Sequence, residues 1–504
     1  MNGSGESGYG SSSGGTGDDD EEPGVFMRQR GLMDEVFEEA KAQVQLMLPT
    51  ALVYASSVLL WLVSFAVLGR LGEKQLAGAS LGMTLSNLFG NVVTLGLSSA
   101  LDIHLTQAHG ARQIRSMQAA LQRGMLVLTI ACGCLSIILF NGERILLLAK
   151  QDPELAKIGG TIMKWTCIAI WPMTMFDIVK RYFQAMSRLR PALVTTLFAL
   201  VVTILSNFLL VFVKGYGVNG VGASLFLGNL SMFLTIFAYY CYSEVPDTWW
   251  QLSDEAFERW QNFLSLAFPS LVMMFFEWGS FEVGLLIISY LGPETIATQT
   301  ILMNAAYLLF TIPAGVSTAA VTRVGNHLGA GDGRAAAIAS NVCGVLAGLS
   351  GIVAAALLTF TRNYWPYIYT NDESLLAAVI EVSPWLAIFE LTDNIQTTLG
   401  AAVKGTGRPH LGAILTAIGF WVISVPLGSY ISITQKTVAG IWQGFLYGEI
   451  VLISSYVYAL YVTDWQLMVE KAQHLVLSDT KSRDPLLKRA NAIPPSPIPE
   501  TIFV

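Results

Sequence analysis

Long apolar stretches with almost no charged residues recur along the whole chain. Eight of these stretches contain no Asp, Glu, Lys or Arg: 42–69, 75–101, 124–142, 191–213, 215–243, 295–322, 335–361 and 409–435. Four further stretches are apolar with isolated charges: 158–176, 260–293, 374–403 and 437–463. A helix needs about 20 mostly apolar residues to cross the hydrocarbon core of a bilayer. The pattern therefore predicts an all-α integral membrane protein with twelve transmembrane helices.

The second half of the sequence repeats the first half at an offset close to 220 residues. The Leu-Pro pair at 48–49 recurs as Phe-Pro at 268–269, and the Gly-Ala pair at 110–111 recurs at 329–330. We therefore predict two six-helix bundles of the same orientation, related by a pseudo-two-fold axis along the membrane normal. Repeats of this kind are typical of alternating-access transporters that bind substrate between the halves. A structural duplication without transport is the alternative.

The predicted bundles leave two tails and a linker. Residues 1–44 are predicted to form a disordered, acidic, Gly/Ser-rich cytoplasmic tail, and the first bundle covers 45–242. A cytoplasmic inter-lobe linker covers 243–262, and the second bundle covers 263–463. We expect the last segment, 464–504, to begin as an amphipathic helix at the cytoplasmic membrane surface, because its first apolar residues can share one helix face. The rest of that segment is predicted to be a disordered tail.

Composition indicates a protein surrounded mostly by lipid. Apolar residues make up 53% of the chain and charged residues only 13%, whereas soluble proteins carry roughly 25% charged residues. The formal net charge of −7 arises within the first 45 residues, and the rest of the chain contains as many basic as acidic residues. This composition excludes an ordinary soluble enzyme, and the lack of a basic face excludes a nucleic-acid-binding protein.

Basic residues between the apolar stretches predict the orientation in the membrane. Loops after even-numbered helices contain eleven Lys and Arg, among them Lys180, Arg181 and Lys404, and loops after odd-numbered helices contain eight. Because Lys and Arg concentrate in cytoplasmic loops, both termini are predicted to lie in the cytoplasm. We expect a multi-pass monomer of the plasma membrane or the vacuolar membrane.

Acidic residues inside the apolar stretches are concentrated in the second half of the chain. Glu277 and Glu282 lie in helix 7, Asp393 lies in helix 10, and the polar residue Asn304 lies in helix 8. The repeat has uncharged residues at the equivalent positions of the first half. An ionised carboxylate within a bilayer is costly, so such groups usually face a cavity and serve a proton or ion path. These four residues form the predicted site for proton coupling and substrate binding, with a structural hydrogen bond as the alternative for any one acid.

Further polar and aromatic residues complete the predicted substrate cavity. They are Trp278, Gln299, Tyr307, Glu390, Gln396 and, in the first half, Asn87. For Glu390, and for the acids Glu381 and Glu449, a purely structural role is an equal alternative. We also expect Glu277, Glu282 and Asp393 to face the interior of the second bundle. Asn304 is expected to hydrogen-bond at least one of these three acids.

No residues indicate catalysis, a metal site or a resident cofactor. The five cysteines fall within apolar stretches, and the five histidines fall in predicted loops or the C-terminal tail. The Gly-rich run at 329–333 follows no predicted strand and lacks the Gly-Lys-Ser/Thr ending of a phosphate-binding loop. The protein is therefore predicted not to be an enzyme, and its expected partners are small organic substrates, protons and lipid.

Several motifs resemble those of the multidrug and toxic compound extrusion (MATE) transporters, over roughly residues 44–465. The first half contains Gly-Leu-Ser-Ser-Ala-Leu-Asp at 96–102 and Arg-Tyr-Phe-Gln-Ala at 181–185. The second half contains Arg-Val-Gly-Asn-His-Leu-Gly-Ala-Gly-Asp at 323–332. Helix 7 resembles the Glu-Trp-x-x-Phe/Tyr-Glu pattern of eukaryotic members. Asn in helix 8 and Asp-Asn-Ile-Gln at 393–396 resemble the plant-type members.

This resemblance implies a secondary antiporter that works by alternating access. Its expected cargo is an organic solute, such as a cationic drug, a toxin or a secondary metabolite, and the helix 7 acids are implied to couple export to proton entry. Two alternatives keep the architecture: a sodium-coupled exporter, and a lipid or oligosaccharide flippase of the same superfamily. A membrane enzyme or receptor would need a catalytic pair or a folded soluble domain, and neither is visible. Since Glu449 lies outside the family motifs, Glu449→Gln is expected to reduce transport less than Glu282→Gln.

Overall fold

The computed structural model describes residues 23–243 and 254–479, and this part of the chain contains no β-strand. Its long helices are α1 (Pro23–Leu71), α2 (Glu73–Gly110), α3 (Ile114–Phe140), α4 (Pro153–Ala185), α5 (Arg190–Val213), α6 (Gly217–Ser243), α7 (Trp260–Ser289), α8 (Pro293–Leu309 and Thr311–Gly329), α9 (Gly333–Thr361), α10 (Glu373–Gly405), α11 (Pro409–Gln435), α12 (Ala439–Tyr461) and α13 (Trp465–Asp479). Shorter helices cover Gly142–Leu148, Asp254–Phe257 and, as a 3-10 turn, Trp365–Ile368.

Helices α1 to α12 are the predicted twelve spans. Eleven of them are single helices long and apolar enough to cross a membrane, and α8 is one span with a bend of 40°. The bend follows Leu309, whose carbonyl would normally accept a hydrogen bond from the backbone of residue 313. Residue 313 is a proline and has no N–H, so the helix bends at this point. The prediction of an all-helical protein with twelve spans is confirmed.

The twelve helices form two six-helix bundles related by a pseudo-two-fold axis along the membrane normal. We call α1–α6 the N-lobe and α7–α12 the C-lobe. The centre of the C-lobe is an aromatic cluster in which the fully buried Phe445 contacts four other rings: Phe281, Phe389, Phe420 and Trp442. Because these rings fill the space between α7, α10, α11 and α12, they hold the acids of the same helices in place.

The two lobes meet at one face of the molecule, which we call the closed face. It comprises the N-terminal part of α1, α13, and the C-terminal ends of α2, α4, α8 and α10. Here α2 and α8 pack so closely that a Cβ atom on Gly110 would collide with the backbone of Asn326, and one on Gly329 with the backbone of Gln107. Gly110 and Gly329 occupy equivalent positions in the repeat, so the contact is nearly symmetrical.

Toward the opposite end of the molecule the lobes separate. Residues 73–91 of α2 pack mainly on α1 and α4, and residues 293–309 of α8 pack mainly on α7 and α10. Each of these segments therefore stays with its own lobe, whereas residues 100–110 and 311–329 of the same helices pack across to the other lobe. The structure is closed at one face and open toward the other.

Several residues expected in loops or tails lie in helices instead. Lys180, Arg181 and Lys404 were counted as loop residues, but they lie in α4 and α10, where Lys180 and Arg181 are buried. All five histidines also lie in helices, not in loops, and His104 is buried against Phe263. The reason is that these helices continue past their apolar stretches into the closed face, where ion pairs compensate the buried charges.

The predicted tails differ in the same way. The structure places residues 23–44 in α1 rather than in an irregular tail, and this extension is held by Glu39, whose carboxylate accepts hydrogen bonds from Arg323 of α8. Gln43, one turn further on, donates to the carbonyl of Ala339 in α9. Residues 1–22 and 480–504 of the predicted tails, and residues 244–253 of the linker predicted at 243–262, lie outside the described residues. The described end of that linker contains the short helix Asp254–Phe257.

The C-terminal helix α13 lies across the closed face and touches both lobes. Met468, Val469 and Ala472 are buried in the core of the C-lobe, whereas Val476 is buried in the core of the N-lobe. The expectation that the apolar face of this segment contacts the membrane surface is wrong, because Met468, Ala472 and Val476 pack on the two lobes. The apolar face of the helix is real, but the two lobes cover it, while Leu467 on another face stays exposed. A cavity of about 450 Å³ remains between the end of α13 and the backbone at 110–113 and 329–330.

Candidate functional site

The centre of the candidate site is a hydrogen-bonded group of two acids and one amide. Nε2 of Gln396 on α10 donates to Oε1 of Glu277 on α7 at 3.2 Å and to Oδ1 of Asp393 at 3.0 Å. Thr397 Oγ1 donates to the same Asp393 oxygen at 3.3 Å. Residues 393, 396 and 397 share one face of α10, because residues three and four apart on a helix are neighbours. The structure thus brings together three of the residues predicted from sequence.

Two more carboxyl groups lie beside this group. Glu390, one turn before Asp393, is buried, and its Oε2 has no hydrogen-bond partner among the residues that the structure describes. Glu449 on α12 is also fully buried, and one of its oxygens accepts a hydrogen bond from Thr392 Oγ1. Glu449 interacts electrostatically with the other three acids. The C-lobe therefore contains a cluster of four neighbouring carboxyl groups on three helices.

A small cavity between α7, α8 and α10 gives access to this cluster. Its lining combines three of the acids with aromatic and apolar side chains: Glu277, Trp278, Phe281, Met303, Ala306, Tyr307, Phe310, Phe389, Glu390 and Asp393. The volume of about 40 Å³ holds a water molecule or two but not an organic solute. In this conformation the cavity can admit water and protons to the acids, and cargo must bind elsewhere or in another conformation.

Trp278 and Tyr307, which the sequence assigned to the substrate cavity, form one wall of this small cavity. The Trp278 ring contacts Tyr307 with ring centroids 6.3 Å apart, and it meets the ring of Phe310 edge-on. Glu282 lies one and a half turns beyond Glu277 and interacts electrostatically with Tyr307. It is only partly buried and makes no hydrogen bond within the described part of the chain. Glu282 thus faces α8, apart from the hydrogen-bonded group.

Three other predicted residues lie outside the acid cluster. The expectation that Asn304 hydrogen-bonds an acid is wrong, because its side chain is exposed and makes no hydrogen bond among the residues described. Gln299 is buried in the C-lobe core, where its Oε1 accepts a hydrogen bond from Trp442 at 2.9 Å. Asn87 lies in the N-lobe and accepts from Asn91 at 3.3 Å. The sequence shows that Asn87, Gln299 and Asn304 are polar residues within apolar helices, but it does not show which neighbouring helix each side chain faces.

Sequence reasoning missed a second charged cluster, in the closed face. Asp177 accepts a hydrogen bond from Arg181 and forms an ion pair with Lys180, both on the next turn of α4, and Arg181 also donates to Asp102 of α2. Lys404 of α10 completes the cluster from the other lobe, with its Nζ 2.8 Å from Asp102 Oδ2. The spacing of three and four residues between the acid and the two bases of α4 was the available signal. These residues were assigned to a loop, so that signal was not used.

Comparison with known proteins agrees with this architecture. The family model described as MatE matches residues 49–209 and again residues 269–430. The chain belongs to the MatE family of multidrug and toxin extrusion transporters. The two matches begin 220 residues apart, which is the offset of the repeat in the sequence. Each lobe of this MATE transporter therefore corresponds to one copy of the family unit.

Relatives of this MATE transporter cover nearly its whole length. It is 30% identical over 455 residues to "Multidrug and toxin extrusion protein 2" of Mus musculus, covering 89% of this chain and 79% of that protein. It is 30% identical to "Multidrug and toxin extrusion protein 1" of Homo sapiens, covering 86% and 77% of the two chains. The crystal structure of the eukaryotic MATE transporter AtDTX14 matches with a TM-score of 0.83 at 25% identity, covering 88% of this chain and all of that one. The chain is thus an efflux transporter by family.

Proposed function

We propose that this MATE transporter exports organic cations in exchange for protons by alternating access. The observation that supports the proposal is the Gln396 amide shared by Glu277 and Asp393. Both carboxyl oxygens lie within hydrogen-bond range of one nitrogen, so the two groups are close neighbours. No Lys or Arg in the described part of the chain forms an ion pair with either group. Lys404 interacts with Glu277 electrostatically but forms no ion pair with it. Two adjacent buried carboxylates without an ion-pair partner repel each other strongly in a membrane protein, so the pair is suited to hold a proton.

The shape of the molecule supports an alternating-access cycle. We infer that the closed face is cytoplasmic, because it carries the basic residues that favour that side. The structure is then the outward-facing state, in which protons from outside reach the acids through the small cavity. Protonation neutralises the acid pair and favours the rearrangement that opens the closed face. Release of the proton toward the cytoplasm restores negative charge, which attracts the next cation. Coupling requires only two differences between proton and cargo. They favour different conformations of the transporter, and cargo binds when the acid pair is ionised, not when it is protonated.

The charge of the site favours cationic cargo. The cavity wall contains three carboxyl groups and no basic side chain, together with the aromatic rings of Trp278, Phe281 and Tyr307. A cation is attracted both by carboxylates and by the faces of aromatic rings. The same site would repel an anionic oligosaccharide or a phospholipid headgroup phosphate. Export of cationic solutes across the plasma membrane or the vacuolar membrane is therefore the proposed activity.

The test is uptake of a fluorescent organic cation, ethidium, into proteoliposomes with an imposed pH gradient. Uptake should follow the pH gradient and stay unchanged when sodium is replaced by potassium. Glu277→Gln keeps the shape of the side chain but cannot titrate, so it should abolish the pH dependence. Glu381→Gln is the matched control, because Glu381 lies on α10 but is exposed. Uptake that followed a sodium gradient and ignored the pH gradient would disprove proton coupling.

A further inference from the structure

Glu449 is a buried acid to which neither the proposed cycle nor the family motifs assign a role. Its side chain is fully buried on α12. One carboxyl oxygen accepts the hydrogen bond from Thr392, and the other, Oε1, has no hydrogen-bond partner in the described ranges 23–243 and 254–479. A buried carboxylate with an unpaired oxygen is unfavourable, above all when it is ionised. A glutamine at this position would have the same shape without the charge, so packing alone does not explain the acid.

Every charged group that faces Glu449 is another acid. Glu277 of α7 and Glu390 and Asp393 of α10 all interact with it electrostatically. The apolar stretches of the remaining C-lobe helices add no charge, because residues 295–322 of α8, 335–361 of α9 and 409–435 of α11 contain no Asp, Glu, Lys or Arg. Lys404, at the end of α10, interacts electrostatically with Glu277 but not with Glu449. The Glu449 carboxyl is therefore near three like charges and no cation. Such an arrangement is stable only if protons are shared among the four groups.

The repeat shows that this position does not need an acid to fold. At an offset of 220, Glu449 corresponds to Asn229 on α6 of the N-lobe. Asn229 Nδ2 donates to the carbonyl of Leu225 in its own helix at 2.8 Å. The neighbouring glycines, Gly228 and Gly448, are also equivalent in the repeat, so the helix environment is similar. A neutral amide serves the structural role in one lobe, and an acid is present only in the lobe that contains the other carboxyls.

We propose that Glu449 is a further proton-coupling residue of the C-lobe, held in position by Thr392. It binds a proton when the acid cluster is open to the outer solution and releases the proton when the cluster is open to the other side. It thereby adds one exchangeable proton to the one carried by Glu277 and Asp393. This inference rests on the proposed proton exchange, and it sets the number of protons exchanged for each cation.

The experiment measures that number. Proteoliposomes with the membrane potential clamped by potassium and valinomycin are given a gradient of one pH unit and allowed to reach equilibrium with ethidium. Each proton exchanged per cation contributes about a factor of ten to the ethidium ratio. Glu449→Gln should therefore lower the ratio about tenfold while some transport remains. The exposed Glu381→Gln serves again as control and should keep the wild-type ratio.

A pair of variants distinguishes the loss of the Glu449 carboxyl from a folding defect. Because Thr392 and Glu449 are in direct contact, exchanging the two residues moves the carboxyl from α12 to α10 within the same cluster. Glu449→Thr alone should lower the ethidium ratio, and Thr392→Glu combined with Glu449→Thr should restore it. If Glu449→Gln kept the wild-type ratio, or if the exchange variant folded without restoring the ratio, the inference would be wrong. The proposed function would survive both results as long as Glu277→Gln abolished pH-driven uptake.

Discussion

Lys404 of α10 donates a hydrogen bond from its Nζ to Oδ2 of Asp102 in α2, over 2.8 Å, and so joins the two lobes. The Asp102 carboxylate is held on its other side by Arg181 of its own lobe. In the bond between Lys404 and Asp102 each residue belongs to a different lobe, so it must break when the closed face opens. Mutating this pair therefore tests the closed face while the hydrogen bonds of Glu277 and Asp393 to Gln396 stay intact.

Replacing Lys404 should make the closed face easier to open. Lys404→Met removes the cross-lobe partner of Asp102, but Arg181 still compensates the carboxylate, so we expect a shift of about 1–2 kcal/mol, less than for a wholly unpaired buried charge. The measurement is maleimide labelling of Thr106→Cys, which lies at the lobe contact with Gly325, in a background without the native cysteines. Labelling should rise about tenfold. Lys74→Met, which breaks the exposed Lys74–Glu154 pair within the N-lobe, should leave labelling unchanged.

A side chain at Gly110 should prevent the closed face from closing. Its Cβ would collide with the backbone of Asn326, and backbone atoms cannot move aside as a flexible side chain can. Gly110→Val is therefore expected to insert and fold but to transport at less than about one tenth of the wild-type rate, a loss of about 1.4 kcal/mol or more. Gly133→Val on α3 has open space around it and should keep normal transport. Normal transport by Gly110→Val would show that the closed face is not part of the cycle.

The aromatic cluster should set the stability of the C-lobe. Phe445 is fully buried and touches four rings, so Phe445→Ala should lower stability by about 3–5 kcal/mol through lost packing and a cavity. A thermal unfolding curve of the purified protein in detergent should show a clearly lower Tm. Phe360→Ala, whose ring is 83% exposed, is the control and should change Tm little. An equal loss for both variants would contradict the role of the cluster.

Glu282 and Asn304 should differ in their effect on transport. Glu282→Gln keeps the size of the side chain but removes a titratable group beside the cavity, so pH-driven ethidium uptake should fall at least about tenfold. Asn304→Ala removes a side chain that makes no hydrogen bond within the described part of the chain, and uptake should stay above about half of wild type. Initial rates at equal protein density in the vesicles decide between the two. A larger loss for Asn304→Ala would indicate direct contact with cargo.

The local sequence predicted those features that depend on neighbouring residues in the chain. The twelve apolar stretches predicted the spans, and the isolated acids identified Glu277 and Asp393, because a charge inside an apolar helix is costly wherever that helix packs. The sequence could not show that Gln396 connects these two acids, since the contact joins α7 to α10. It could not place Glu449 beside them either. The sequence also could not show on which face of α8 Asn304 lies. Its side chain is exposed, although its residue type suggested a hydrogen bond to an acid.

The ends of the spans were predicted less well for a related reason. Apolar composition marks the part of a helix in contact with lipid or core, and it ends where charges begin. Lys180, Arg181 and Lys404 therefore looked like loop residues. In the folded protein their charges are compensated by Asp102 and Asp177, which lie on other turns or other helices, so the helices continue. These ion pairs form only when the helices are packed together, so the sequence alone does not indicate them.

Because α13 packs on both lobes, the rate of the transport cycle should depend on how fast this helix leaves one of them. When the closed face opens, either Val476 must leave the N-lobe or Met468, Val469 and Ala472 must leave the C-lobe. On the N-lobe side only Val476 is buried, with Leu475 packed beside it, so this smaller attachment should detach first and the helix should then move with the C-lobe. A partner that binds this 15-residue helix and favours one of its two positions would therefore change the rate of the transport cycle.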